Sequence, residues 1–197
     1  MILRLAKPED AQGISEVYVP YVETSAVTFE LVSPSVEDLQ ERIARIMKSY
    51  PYIVAEEDGV ILGFTYASPF RPRAAYSHSI ETSIYVRKDI RTKGVGGKLY
   101  RTLEKLVALQ NVYVMDACIA TVNPPDEYVP TTSRSFHDHL GYKEVAHFAK
   151  CGRKFDRWYD MIWMEKLLVD QHPDEPEPFI PFPEVDQALV SEILSQA

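Results

Sequence analysis

Cysteine is scarce in this chain, two among 197 residues, and so few rule out a disulfide framework. Cys118 and Cys151 also lack the paired spacing of a metal knuckle, so a reducing cytoplasm is the expected compartment. Positive charge is short as well: 21 Lys and Arg stand against 29 Asp and Glu, a net charge of -8. An acidic chain is not suited to nucleic acid or to an anionic membrane, since either needs an extended basic face. No apolar run nears the about 18 residues of a membrane span. The start, MILRLAKPED, shows no basic segment followed by an apolar core, so no secretion signal is expected. Internal repeats are lacking too.

What is present reads as a globular α/β chain, 46% hydrophobic and 25% charged. Residues 2–6 alternate as a first strand, and Pro8 suits the first turn of a helix, where its missing N–H costs nothing. Ala11, Ile14, Val17, Tyr18 and Tyr21 form that helix's apolar stripe. Ser35 and Asp38 mark a second start, followed by Leu39, Ile43, Ile46 and Met47. Residues 52–56 and 60–67 form a hairpin about Asp58-Gly59. A strand over 77–86 leads through a glycine-rich turn into a helix with Leu99, Leu103, Leu106 and Val107 inward. Residues 112–120 read as a buried strand. A short helix from Ser133 stops at Gly141, and strands 142–150 and 158–167 flank a 152–156 connection.

The order β-α-α-β-β-β-α-β-α-β-β implies a mixed sheet rather than regular βαβ alternation. Residues 1–168 read as one domain. The extension 169–197 carries Pro173, Pro176, Pro178, Pro181 and Pro183 and reads as polyproline-like. Val185, Leu189, Ile193 and Leu194 pattern a short closing helix there, although the composition also fits a disordered tail.

The sharpest local signal is Arg91-Thr92-Lys93-Gly94-Val95-Gly96-Gly97-Lys98. Glycines let a ligand approach the backbone, and free N–H groups at a helix N-terminus favour a pyrophosphate. A Walker A loop would need Gly at 92 and Ser or Thr at 99, where Thr92 and Leu99 stand; a dinucleotide G-x-G-x-x-G fails at 99 too. What remains is R-x-x-G-x-G, which in isolation also fits a tight turn. A bulky side chain at Gly96 is expected to block phosphate binding while leaving the fold intact.

With its flanks the turn says more. Ile80-Glu81-Thr82-Ser83-Ile84-Tyr85-Val86, the R-x-x-G-x-G turn, and Phe136-His137-Asp138-His139-Leu140-Gly141-Tyr142 resemble three signatures of the GNAT acetyltransferase superfamily in their usual order. Phe70-Arg71-Pro72-Arg73, His78-Ser79-Ile80-Glu81 and Gly152-Arg153-Lys154-Phe155-Asp156-Arg157-Trp158 are similar to its phosphinothricin and methionine sulfoximine acetyltransferase branch. The resemblance spans 1–168. It implies acetyl transfer from acetyl-CoA to a small-molecule amine by direct attack, and a homodimer. The alternatives are a GNAT acting on a protein terminus, a polyamine or an antibiotic, and an acyl-CoA-binding regulatory domain without catalysis.

The resemblance further implies that the backbone of Ile84, Tyr85 and Val86 pairs with the pantetheine arm, beside a neighbouring strand that splays away. Arg91, Thr92, Lys93, Gly94, Val95, Gly96 and Gly97 are implied to hold the pyrophosphate. Thr132 stands where the family often has a cofactor-contacting Asn. Ala74, Ala75 and Tyr76 correspond to an acceptor-contacting segment. Arg71 and Arg73 suit the acceptor's anionic group, since a guanidinium matches planar oxyanions.

Transfer to an amine needs a base, a polarised thioester carbonyl and a proton for the leaving thiolate. Glu81, on the strand face it shares with Ser79, Ser83 and Tyr85, is the candidate base; a salt-bridged strand carboxylate is the plainer reading. His137 stands where many GNAT enzymes place a tyrosine acting as general acid, and a half-buried structural histidine is its plainer reading. His137 and His139, two apart on a helix, point roughly 200° from one another, so no metal pair is expected. Cys118 reads as a core residue. The apolar groups Phe179, Phe182, Ile193 and Leu194, or else the final strands, suggest the dimer contact.

Overall fold

The computed structural model describes residues 1–89 and 94–197. Seven strands form one sheet: β1 (Ile2–Leu5), β2 (Tyr52–Glu57), β3 (Val60–Pro69), β4 (Ser79–Val86), β5 (Val114–Thr121), β6 (Lys143–Lys154) and β7 (Arg157–Leu167). Their order is β1-β2-β3-β4-β5-β7-β6, and every neighbouring pair is antiparallel except β4 and β5. The helices are α1 (Ala11–Thr24), α2 (Val36–Ile46), α3 (Val95–Ala108), α4 (Thr132–His139) and α5 (Gln187–Ser195). The succession expected from the sequence is the one found, with α5 added at the end.

Two apolar layers hold the sheet. Ile14, Val17, Leu39 and Ile43 of α1 and α2 cover Tyr52, Val54 and Phe64 on one face. On the other face Leu99, Leu103 and Leu106 of α3 pack on Ile53, Ile80 and Met115. Inward residues at three- and four-residue spacing on the helices meet period-two residues on the strands, which is what buries both sets. α2 starts as its sequence requires: the Ser35 hydroxyl accepts from the Asp38 N–H at 3.1 Å while Asp38 accepts from the Ser35 N–H at 3.0 Å, a reciprocal cap. Asp58 and Gly59 turn the first hairpin with φ of 51° and 78°, and Gly141 ends α4 at φ 90°.

Three local expectations change. Pro8 opens a short 3-10 turn, Pro8–Asp10, that precedes α1. The inward face of α1 uses Val22, with Tyr21 only half-buried, because the Tyr21 hydroxyl reaches out to the Val86 carbonyl at 2.6 Å. The connection between the last strands is shorter than 152–156: Gly152, Arg153 and Lys154 pair with Tyr159, Trp158 and Arg157. Phe155 and Asp156 alone make the turn, both at positive φ, 49° and 57°, the geometry a two-residue hairpin requires.

The C-terminal extension lies against the main core. Phe182, Val185 and Val190 are buried in the same cluster as α3, with Phe179, Ile193 and Leu194 packed on it. Gln110, itself buried, donates to the carbonyls of Ser49 and Ile180 at 2.7 and 2.9 Å. Asn111 donates to the Pro178 carbonyl at 2.7 Å. The aromatic residues of the tail are therefore satisfied within their own chain, which removes them as the reason to expect a partner there.

Candidate active site

β4 and β5 pair in register only from Ser79↔Val114 to Thr82↔Ala117, although β4 continues to Val86 and β5 to Thr121. Past Thr82 the two strands part. The gap is a cavity of about 260 Å³, walled by Glu81, Ser83, Cys118, Tyr100, His137 and the loop at Val27, Thr28 and Phe29, among others.

Backbone alternation decides which groups face it. The Arg87 N–H donates to the Leu62 carbonyl at 2.8 Å, and Tyr85 lies opposite Phe64 two residues earlier in the same ladder. The in-plane groups of Tyr85 thus point toward β3, and those of Ile84 and Val86 point toward the gap. The Val86 carbonyl takes the Tyr21 hydroxyl, so the Ile84 N–H and C=O and the Val86 N–H are the groups aimed at the opening. This corrects the expectation for Tyr85, whose side chain lines the cavity while its backbone belongs to the sheet. Polar backbone at an interior strand edge fits the amide-bearing arm of acetyl-CoA, whose own amides need such partners.

At the end of the same opening α3 begins. Gly94 caps it at φ 94°, a conformation that disfavours a side chain. A Cβ on Gly96 would lie 3.2 Å from the Phe136 ring and 3.6 Å from Ile84. That glycine lets α3, α4 and β4 close on one another, so a tryptophan at 96 would meet the Phe136 ring of α4 as well as any ligand at the helix start. A Cβ on Gly97 would lie 3.1 Å from the Arg101 guanidinium, and Val95 is buried under the first turn. The N–H groups of a helix start suit a pyrophosphate. Arg91, Thr92 and Lys93 lie outside the described residues. Thr132, first residue of α4, is exposed and lines none of the cavities described; its neighbour Ser133 is the one that reaches the gap, because adjacent helical residues point about 100° apart.

On the face shared with Ser83 and Tyr85, Glu81 pairs across β3 with Ser68 and across β5 with Asp116. Burial raises its carboxyl above the usual glutamate range, and the Arg71 charge pulls it partly back. Arg71 lies over the rings of Phe70 and Trp163, 4.3 and 5.2 Å from their centres. Arg73, Ala74 and Ala75 are exposed on the loop before β4, and Tyr76 stands edge-on to Phe70 at 5.9 Å.

His137 is buried at the gap wall with both ring nitrogens engaged. Nδ1 lies 2.7 Å from the Ser133 carbonyl and Nε2 lies 2.9 Å from the Tyr100 hydroxyl. A carbonyl only accepts, so Nδ1 carries the proton, and burial lowers the pKa of the ring. Nε2 is then the acceptor and Tyr100 the donor. The Tyr100 hydroxyl also meets the Thr82 hydroxyl at 2.8 Å. The expected role of His137 as direct donor is corrected on this ground: its one proton is held by the Ser133 carbonyl, and its other nitrogen is occupied by the Tyr100 hydroxyl.

Sequence reasoning gave no role to Tyr100, Thr82 or Asp116: Tyr100 adjoins an apolar stripe, Asp116 lies within an apolar strand, and Thr82 figures only as part of the 80–86 signature. Cys118 is also corrected: its side chain is exposed at the gap. The hairpin residues gain a reason. The Phe29 ring occupies the space a Cβ on Gly152 would need, and Lys154 donates to the Thr28 carbonyl at 2.9 Å, so this strand holds one wall of the gap. His147 and His139 lie outside it, and no group of three or more metal-ligating side chains occurs among the described residues.

A parted parallel strand pair, a glycine-led helix at its mouth and a carboxylate beside it define an acyl-CoA-dependent transferase. Residues 3–163 match the family model described as "Acetyltransferase (GNAT) domain", and the chain belongs to that family of acetyl-CoA-dependent N-acetyltransferases. Within it the chain stands with the phosphinothricin acetyltransferase-like branch. A phosphinothricin N-acetyltransferase of Alcaligenes faecalis is 32% identical over 167 residues, 84% of this chain and 82% of that protein. An L-methionine sulfoximine/L-methionine sulfone acetyltransferase of Pseudomonas aeruginosa is 31% identical over 172 residues, 84% of this chain and 94% of that protein. The structure of a phosphinothricin acetyltransferase from Sinorhizobium meliloti in complex with AcCoA superposes with TM-score 0.79 at 31% identity, covering 89% of this chain and 92% of that one.

Proposed function

We propose that this enzyme acetylates the α-amine of a small amino acid of the phosphinothricin or methionine sulfoximine kind, in the cytoplasm. The observation that carries the reading is Glu81, half-buried at the point where β4 and β5 part. Acetyl-CoA supplies an activated carbonyl. Ile84 and Val86 bind its arm, and the α3 start at Gly94, Val95, Gly96 and Gly97 receives its phosphates. Glu81 accepts the proton of the acceptor ammonium, directly or through water, which frees the amine to attack. Arg71 stands beside Glu81 for the α-carboxylate, with Arg73, Ala74, Ala75 and Tyr76 forming the rim. His137 serves as a positioning residue: its neutral ring accepts the Tyr100 hydroxyl and fixes that wall of the gap, and solvent supplies the proton for the departing sulfur.

A homodimer through the last strands belongs to the same reading. β6 is an edge strand, and Val145, Phe148 and Trp158 of this hairpin are 54%, 48% and 54% exposed, a patch that favours burial. Light scattering on the full chain checks this: a monomer at micromolar concentration rejects the dimer, and Trp158→Lys should weaken it.

The test of function is an acceptor screen that detects free thiol, confirmed by the mass of the acetylated product. Turnover of methionine sulfoximine or phosphinothricin is the expected result. Turnover confined to peptides or polyamines would reject the amino-acid acceptor.

A further inference from the structure

The face of the sheet that bears Glu81 carries a second hollow, about 490 Å³, between α2 and the end of β3. Arg42, Arg45, Ser49, Tyr50, Tyr66 and Ser68 are among its walls. The β3–β4 register sets Ser68 opposite Glu81 and Tyr66 opposite Ser83, and residues paired in this way share a face. The floor of the hollow is therefore one strand spacing, roughly 4.8 Å, from the strand position of the base.

The charge of the hollow is unusual for this chain. Arg42 and Arg45 are three apart on α2 and so lie on one side of it. Arg42 donates to Glu30 Oε1 at 3.0 Å and stands 5.9 Å from the Tyr18 ring centre. Arg45 is exposed and has no ion pair among the described residues. Glu30, Asp38 and Glu41 share an adjoining hollow with both arginines, but the walls of this one hold two guanidinium groups and no carboxylate, a positive lining on a protein of net charge -8. A cation in the last turn of α2 is also favourable toward the helix dipole, but that does not account for Arg42 or for the hydroxyl groups of Tyr66 and Ser68 in the same walls.

We propose that this hollow is a second anion subsite, which takes the distal acidic group of an α-amino acid acceptor while its amine meets Glu81. The inference rests on the acceptor class proposed above. An α-carboxylate is only two bonds from the amine, so it stays near Glu81 and Arg71. A group four bonds from the amine, such as the phosphinate of phosphinothricin, extends across β3 toward Arg42 and Arg45. Their planar, multiply donating heads suit a phosphinate, sulfonate or carboxylate. The hollow thereby selects an acceptor with an anionic end over one with a neutral side chain.

The experiment compares phosphinothricin, which ends in a phosphinate, with L-methionine, which has the same α-amino acid end and a neutral tail. Arg45→Gln should raise the KM for phosphinothricin roughly 10- to 100-fold, the effect of one charge-assisted hydrogen bond, with kcat retained and the methionine KM unchanged. Arg42→Lys, which keeps the Glu30 pair, should raise the same KM by less. Calorimetric titration of phosphinothricin into the full chain provides a readout without turnover: binding should weaken in Arg45→Gln. Unchanged KM for both acceptors together with unchanged phosphinothricin binding would overturn the subsite. Equal KM increases for both acceptors would overturn it as well. Arg45-dependent binding without any acetyl transfer would uphold the subsite and reject the acceptor reading instead.

Discussion

Glu81 owes its raised pKa first to burial, and Arg71 only moderates it. The limb on which activity rises with pH should therefore lie above the usual glutamate range of about 4.3, and Glu81→Gln should remove it. That variant keeps size and hydrogen-bonding capacity, so kcat should fall about 10²–10⁴-fold with acetyl-CoA affinity preserved and partial recovery at alkaline pH, where more amine is already free. Wild-type kcat at neutral pH would reject the base assignment. Asp116, its neighbour across β5, gives a prediction about stability. Its carboxyl is pushed from 3.8 to about 7, first by burial and then by Glu165 and Glu81. Between those values the folded chain binds more protons than the unfolded one, so stability should fall as pH rises through that window. Asp116→Asn cannot lose a proton; its thermal midpoint should stay flatter from pH 5 to 8, and a decline matching wild type would disprove the assignment.

At the scale of elements, the β6–β7 hairpin is a support for the loop that faces it. Phe29 sits where a Gly152 side chain would be, and the Thr28 carbonyl holds Lys154. Gly152→Ala should push Phe29 into the gap, raising the KM for acceptor or acetyl-CoA while the far-ultraviolet dichroism is kept; unchanged kinetics would show that the loop adapts. This is also where the sequence was partly legible. Gly152, Arg153 and Lys154 stood out as a branch pattern, but the pattern says nothing of a contact 126 residues away in sequence. Helix starts, by contrast, were legible because a cap is local: Ser35 and Asp38 are three residues apart. Tyr100 was invisible because it adjoins the apolar stripe of α3, and only the fold brings α4 to its hydroxyl. The role of His137 was misread for a related reason, since a tautomer is set by hydrogen-bond partners that no spacing reveals.

For the whole molecule, the order of elements was readable from periodicity, whereas the seat of the tail was not, since a proline-rich stretch looks alike when docked and when free. Phe182, Val185 and Val190 are 3%, 6% and 2% exposed, and each such burial contributes roughly 1.5–3 kcal/mol toward a total stability of about 5–15 kcal/mol. A chain ending at Leu168 should melt well below the full protein or fail to fold, whatever its oligomeric state; an unchanged midpoint would show the tail to be dispensable. The parted sheet has a different consequence, for the exchange of amide hydrogens with solvent. A sheet ordinarily shows its unpaired edges at its two margins, where other strands can add. Here a third edge lies in the interior, at Ile84 and Val86, too narrow for a foreign strand and open to a slender ligand. These two amides should exchange with deuterium far faster than their neighbours Tyr85 and Ser83, which are tied to β3. Saturating acetyl-CoA should slow them selectively, so that the cosubstrate completes the sheet as an extra strand would.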